Sequence, residues 1–236
     1  KAGLPDASNG AVELNNVAGK IIGLKGVQIE SGKLDNRQGR IASGSDLTIA
    51  VGTTNFNTAQ GSLVSLGEIK LDAGSIDLTQ AQVNAGQALR VKAKEVLAQE
   101  SVLTAANGQL VIDAQGGNFY ANQATIQSSD SLSIKSGNTQ LAQAKIVSGK
   151  EAKFETAHLD AQRMTLNAGA DIALISAGDI NTNAASIAAN GKLDIVAVSL
   201  QGGHYSALGA INVSTSGSVN LNKGTLLTDS TLQVKA

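Results

Sequence analysis

A short triplet of apolar, variable and apolar residues recurs along nearly the whole chain. It reads Val27-Gln28-Ile29, Leu47-Thr48-Ile49, Ile69-Lys70-Leu71, Leu89-Arg90-Val91, Leu110-Val111-Ile112 and Leu132-Ser133-Ile134. It continues as Ala152-Lys153-Phe154, Ile172-Ala173-Leu174, Leu193-Asp194-Ile195, Ile211-Asn212-Val213 and Leu232-Gln233-Val234. Successive first positions lie 20, 22, 20, 21, 22, 20, 20, 21, 18 and 21 residues apart, which is 205 residues in ten steps or a mean of 20.5. Most middle residues are polar or charged. Alternation with period two describes a strand with one face inward and one in water. No window of comparable length carries a helical i, i+3, i+4, i+7 stripe, and β-branched residues broken by Gly, Asn and Ser dominate. Helical repeats are excluded.

A second element of the form apolar-x-x-small/polar-x-apolar sits at a fixed offset in most units. Examples are Leu78 to Val83, Leu141 to Ile146, Leu159 to Met164 and Leu221 to Leu226. Glycine or asparagine follows a few residues later, as in Asn84-Ala85-Gly86, Asn107-Gly108, Ser148-Gly149 and Asn190-Gly191. Each unit of about twenty residues therefore holds two or three very short strands joined by tight turns. Strands that short do not make a stable isolated sheet. If each unit winds once around an axis, every strand lies parallel to its counterpart one unit later, roughly 4.8 Å away.

The expected fold is all-β: a right-handed parallel β-helix with coils of about twenty residues, right-handed because parallel crossovers are. Ten steps give a rod on the order of 50 Å long. The turn columns are expected to carry Gly or Asn in left-handed conformations. The regular shaft is expected over residues 27–236, with 1–26 a less regular lead-in or partial cap that includes the extra triplet Val12-Glu13-Leu14. Leucine-rich, calcium-binding nonapeptide and strict hexapeptide solenoids each require a rhythm that this sequence lacks.

Composition narrows the picture further. The 236 residues include no Cys, no Trp, one Pro and 26 Gly, with aromatics at 2%. A core without large rings must be thin and layered, filled by Leu, Ile, Val and Ala. Eighteen basic against 19 acidic side chains leave no basic stripe of the kind nucleic acid requires. No apolar run reaches membrane-spanning length, and residues 1–10 lack the apolar stretch of a signal peptide. Absence of cysteine excludes disulfides and thiolate metal sites. It suits a chain that crosses an oxidising compartment unfolded.

The segment Leu34-Asp35-Asn36-Arg37-Gln38-Gly39-Arg40-Ile41-Ala42-Ser43-Gly44-Ser45-Asp46-Leu47-Thr48-Ile49 resembles the repeat L-x-N-x-x-G-x-I-x-A/S-G-x-x-L-x-I of the filamentous haemagglutinin family. The resemblance runs from about Val27 to the C-terminus; later units keep its strand spacing but loosen its wording. It implies a large exoprotein threaded through an outer-membrane two-partner-secretion transporter and folded on the bacterial surface, where members act as adhesins, haemolysins or toxin-carrying sticks of contact-dependent growth inhibition. The secretion domain of such proteins carries Asn-Pro motifs. None is present, so the piece is expected to be interior shaft, and the strand triplet at the C-terminus is read as a truncation.

Candidate chemistry is sparse. His158 and His204 have no companions at ligand spacing and read as solvated turn residues. Asp113, Asp130, Asp160, Asp171, Asp179 and Asp194 could place acids on adjacent coils, as in polysaccharide-cleaving β-helices, but without cleft-building loops they read as solvated turn acids. Lys92, Lys94, Lys150 and Lys153 read as solvated strand faces. Two segments echo each other: Gln115-Gly116-Gly117-Asn118-Phe119-Tyr120 and Gln201-Gly202-Gly203-His204-Tyr205. Phe119, Tyr120, His204 and Tyr205 are thus the candidate adhesive surface, against the plainer reading of rings buried at a Gly-Gly corner. Residues 51–57 are the other place where a loop could bulge. No catalytic residue, metal site or cofactor is expected. The expected function is a structural shaft, with a lateral face for a host or neighbouring-cell receptor or glycan as the alternative, and a carbohydrate-active enzyme third.

Overall fold

The computed structural model describes residues 12–236. Over that span the chain forms three sheets, each of eleven parallel strands, and every third strand joins the same sheet. The first sheet begins with Glu13–Asn15, the second with Lys20–Gly23 and the third with Val27–Glu30. Each coil contributes one strand to each sheet, so the molecule is a three-sided parallel β-solenoid.

The recurring triplets are the third sheet. Val27 pairs with Leu47, Leu47 with Ile69, Ile69 with Leu89, Leu89 with Leu110, and Leu110 with Leu132. The same register carries on through Ala152, Ile172, Leu193 and Ile211 to Leu232. Glu13–Asn15 and Lys20–Gly23 already pair in register with Lys33–Asp35 and Arg40–Ser43. The boundary expected at residue 26 thus falls inside the first coil, and the rest of the expected lead-in, residues 1–11, lies outside the described residues.

Inward positions form a continuous aliphatic core from Ile29 to Val213 with almost no exposed surface. Three phenylalanines, Phe56, Phe119 and Phe154, lie inside it. Strand after strand reads exposed, buried, exposed, as in Gln82–Ala85 and Lys145–Ser148. A period-two pattern can bury only alternate residues, so one file of side chains fills the tube while its neighbours face water.

Coils differ in length only at their corners. The two 22-residue steps each place two extra residues at the corner between the third and first sheets. Residues 51–54 and 114–117 stand there, where the coil between 69 and 89 needs only Ala73 and Gly74. Gly52 and Gly116 take the left-handed conformation those wider corners demand. The 18-residue step loses two residues at the corner between the first and second sheets, where Gly202 and Gly203 replace the usual four.

At that same corner the expected Gly or Asn column is corrected by the structure. The left-handed residues are Ala18, Gln38, Gln60, Gln80, Glu100, Gln123, Gln143, Arg163, Ala184 and Lys223. A left-handed non-glycine residue costs on the order of 1 kcal/mol or more. Here the conformation aims the amide along the tube axis: Gln38 N–H donates to the Ala59 carbonyl at 3.0 Å and Gln60 N–H to Thr79 at 2.8 Å. Inter-coil hydrogen bonds offset the strain and leave a long side chain in water. The glycines that follow the second-sheet strands answer a different demand. A Cβ on Gly86 would collide with the Leu66 carbonyl, and one on Gly149 with the Ser129 carbonyl, so glycine there permits close approach of adjacent coils.

This architecture predicts that whole coils are removable and fractions are not. Deleting residues 82–101, which joins Ala81 to Val102 and preserves the register of Gln82 with Val102, should leave a folded β protein by circular dichroism. Deleting only residues 82–91 should abolish the cooperative melt, because inward and outward columns would no longer align.

Candidate functional site

The chemistry of this molecule lies in its corners. Nine of the eleven first-sheet strands end in Asn, Asp or Gln, the exceptions being Leu97 and Tyr120. Asn15 Oδ1 accepts the Val17 N–H at 3.0 Å, Asn57 Oδ1 that of Ala59 at 2.9 Å, and Asp77 Oδ1 that of Thr79 at 2.9 Å. Asp35, Asn181 and Asn220 cap the same turn with the N–H two residues on. Short polar side chains that mimic a backbone turn are what such a corner needs. Asp35 also holds Arg37 through two guanidinium nitrogens at 2.7–3.1 Å, and that hydrogen-bonded cation keeps its carboxyl below the usual range.

One residue further on, the chain turns into the tube. In the first three coils the inward corner residue is polar: Asn16 Nδ2 donates to Asn36 Oδ1 at 2.6 Å, and Asn36 Nδ2 donates to Thr58 Oγ1 at 2.8 Å and to its own turn at the Gly39 carbonyl at 3.3 Å. A Cβ on Gly39 would collide with the Asn36 side chain. The Asn and Gly of the L-x-N-x-x-G segment are therefore one device: the amide bridges coils and glycine leaves it room. The next five coils fill that column with Leu78, Ala98, Ala121, Leu141 and Ala161, and Thr182 then makes it polar again. Outside, the left-handed glutamines form a second ladder, Gln38 to Gln60 to Gln80 to Glu100, at 2.9–3.0 Å. The spacing of Gln38, Gln60 and Gln80 was the available signal for this ladder, since a long amide at a fixed offset serves no core.

The four residues of the candidate adhesive surface do not share a face. Phe119 is 0% exposed and Tyr205 1%. Tyr120 is half-buried and points outward on the first sheet, whereas His204 is exposed on the second. The sequence echo between them joins unlike corners, because Gly116 and Gly117 belong to a lengthened one and Gly202 and Gly203 to a shortened one. The Tyr205 ring occupies the interior space left by the missing pair, against Gly203, and its hydroxyl hydrogen-bonds Thr182 Oγ1.

The acids are engaged locally. Asp113 caps the Gln115 N–H at 2.8 Å, Asp130 pairs with Lys150 at 3.1 Å, and Asp179 accepts from Ser199 Oγ at 2.7 Å. Asp160 accepts from Gln162 and Asn181, Asp171 from the Lys192 backbone, and Asp194 from Asn212. Lys92 meets Asp72, and Lys153 meets Glu155 at 2.6 Å, which lowers the Glu155 carboxyl's pKa. His204 Nδ1 lies 3.2 Å from Thr225 Oγ1, and His158 stands on the first sheet in register with Asn138. Among the described residues, no three His, Asp or Glu side chains converge as a metal site would require.

The haemagglutinin repeat family matches the chain over residues 6–65, 46–117, 105–173, 151–223 and 198–236. These overlapping matches cover all but the first five residues, and the chain belongs to that family. No curated protein matches it, and neither does any solved structure.

Burial raises the Tyr205 phenol to about 12, partly opposed by its bond to Thr182. A phenol pushed above its ordinary value favours the neutral folded form, so its contribution is intact below about pH 10 and disappears as pH rises towards 12. Alkaline melts should therefore show a loss of roughly 2–3 kcal/mol across that window. Tyr205→Phe should abolish this loss while costing about 1 kcal/mol at neutral pH. An unchanged alkaline profile in that variant would refute the assignment.

Proposed function

We propose that this chain is a shaft segment of a large haemagglutinin-like exoprotein, exported through an outer-membrane partner and displayed on the bacterial surface. One observation carries the reading: eleven coils stack without interruption, and the corner insertions that exist are only two residues long. Such a tube holds whatever it joins at a fixed separation, about 4.8 Å per coil. Among the described residues, the six candidate acids Asp113, Asp130, Asp160, Asp171, Asp179 and Asp194 are each held by a turn N–H, an amide, a hydroxyl or a neighbouring lysine.

Progressive export suits the same geometry. Each arriving coil finds a finished strand edge on all three sides, so folding proceeds by repeated addition of one layer. Lack of cysteine means that no premature crosslink can form while the chain is threaded unfolded. The function served by the shaft is presentation of a distal segment, either an adhesive tip or the receptor-binding and toxic end of a contact-dependent growth-inhibition protein.

An epitope tag inserted in the bulged corner at residues 51–54 of the full-length exoprotein should be reached by antibody on intact cells. The signal should vanish when the partner transporter is deleted. A tag detected only after lysis would overturn the proposal.

A further inference from the structure

Asparagine followed by glycine occurs at Asn9, Asn107 and Asn190, and the first of these pairs lies outside the described residues. The other two stand at the same kind of corner, between the second and third sheets. Glycine after asparagine leaves its backbone nitrogen open to the side-chain carbonyl carbon, because no Cβ obstructs ring closure. What separates the two pairs is the partner of that nitrogen.

Three-residue corners such as 149–151, 169–171 and 190–192 give their first two N–H groups to the preceding coil. The second of these is Lys150 N–H to the Asp130 carbonyl at 3.1 Å, Ala170 to Lys150 at 3.2 Å, and Gly191 to Ala170 at 2.9 Å. The corner at 106–109 holds one residue more, between strands that end at Ala105 and begin at Leu110. Ala106 N–H donates to the Ala85 carbonyl at 2.9 Å, but among the described residues neither Asn107 N–H nor Gly108 N–H has a protein acceptor. Gly108 still lies against the preceding coil, where an added Cβ would meet Ala88 N at 2.9 Å. The extra residue has displaced its nitrogen from the inter-coil ladder. Asn107 is exposed, and its Nδ2 donates to the Gly86 carbonyl at 2.9 Å, which holds the side chain over the same corner.

We infer that Asn107-Gly108 is a site of spontaneous deamidation, and that Asn190-Gly191 is shielded from it by its corner. The Gly108 nitrogen, having lost its proton to solvent, attacks Asn107 Cγ. The N–Cγ bond forms, the Cγ–Nδ2 bond breaks, and ammonia leaves with a proton returned by solvent. Water then adds to either carbonyl of the succinimide and opens it, leaving aspartate or isoaspartate at position 107. At Asn190 the same step waits on local opening, because the Gly191 N–H must first leave the Ala170 carbonyl. A carboxylate cannot donate, so conversion removes the bond to Gly86. It also adds negative charge to a shallow depression already lined by Glu68 and Asp130. This stands apart from the shaft reading, since it needs only the folded chain and water.

The test ages the intact chain at mildly alkaline pH and body temperature, beside a urea-unfolded sample, and reads conversion at each asparagine by peptide mass spectrometry. Asn107 should convert at least about tenfold faster than Asn190 in the folded chain, and within about twofold of it in the unfolded one. Deleting Ala106 recreates a three-residue corner, brings the Gly108 N–H to the Gln87 carbonyl, and should slow Asn107 to the rate of Asn190 while circular dichroism stays β. The parent comparison decides by itself if that variant does not fold. Equal rates at the two sites in the folded chain, or the same ratio of rates folded and unfolded, would overturn the inference. So would a folded deletion variant whose Asn107 converts as fast as before.

Discussion

Everything in this molecule depends on one constraint: after each turn the backbone must return to a position directly above itself, one strand spacing away. When it does, every strand amide finds a carbonyl on the adjacent coil and every inward side chain lands on its predecessor. No sheet here would stand alone, since strands of two to five residues bury too little. Stability is therefore a nearest-neighbour property, and any residue that disturbs the return path affects the coils on both sides.

The corners enforce this return, and they do so by three different means. Outward Asn and Asp cap the first turn, left-handed residues aim their amides down the axis, and glycines behind the second sheet allow backbone to approach backbone. Where one coil is two residues short, Tyr205 fills the interior; where two coils are two residues long, Gly52 and Gly116 absorb the excess. The variable outer surface follows from the same division, because residues that face water are free to change while the corner geometry persists.

The period-two triplets and their 20.5-residue spacing made the third sheet legible in the sequence, down to the register of Leu89, Leu110 and Leu132. The other two sheets were visible only as an offset element, since their strands contain small residues such as Ala85 and Ser148 that carry little apolar signal. Left-handed glutamines could not be read from propensity: their strain is offset by hydrogen bonds to the next coil, which appear only once coils are stacked. Nor could the sequence separate Phe119 from Tyr120. Adjacent residues on a strand face opposite ways, and the phase of that alternation is set by the register of the coil. The echo between the two Gly-Gly-aromatic segments misled for the same reason, as similar words fall at different corners.

The stacking itself is open to a direct chemical measurement, made clean by the absence of native cysteine. Outward residues Arg90 and Val111 are register partners on adjacent coils, within the Cα separation that a disulfide accepts. Arg90→Cys/Val111→Cys should therefore crosslink readily on mild oxidation, while Arg90→Cys/Thr104→Cys, closer in sequence but on different sheets, should not. Equal crosslinking of both pairs, or crosslinking of the second alone, would contradict the solenoid.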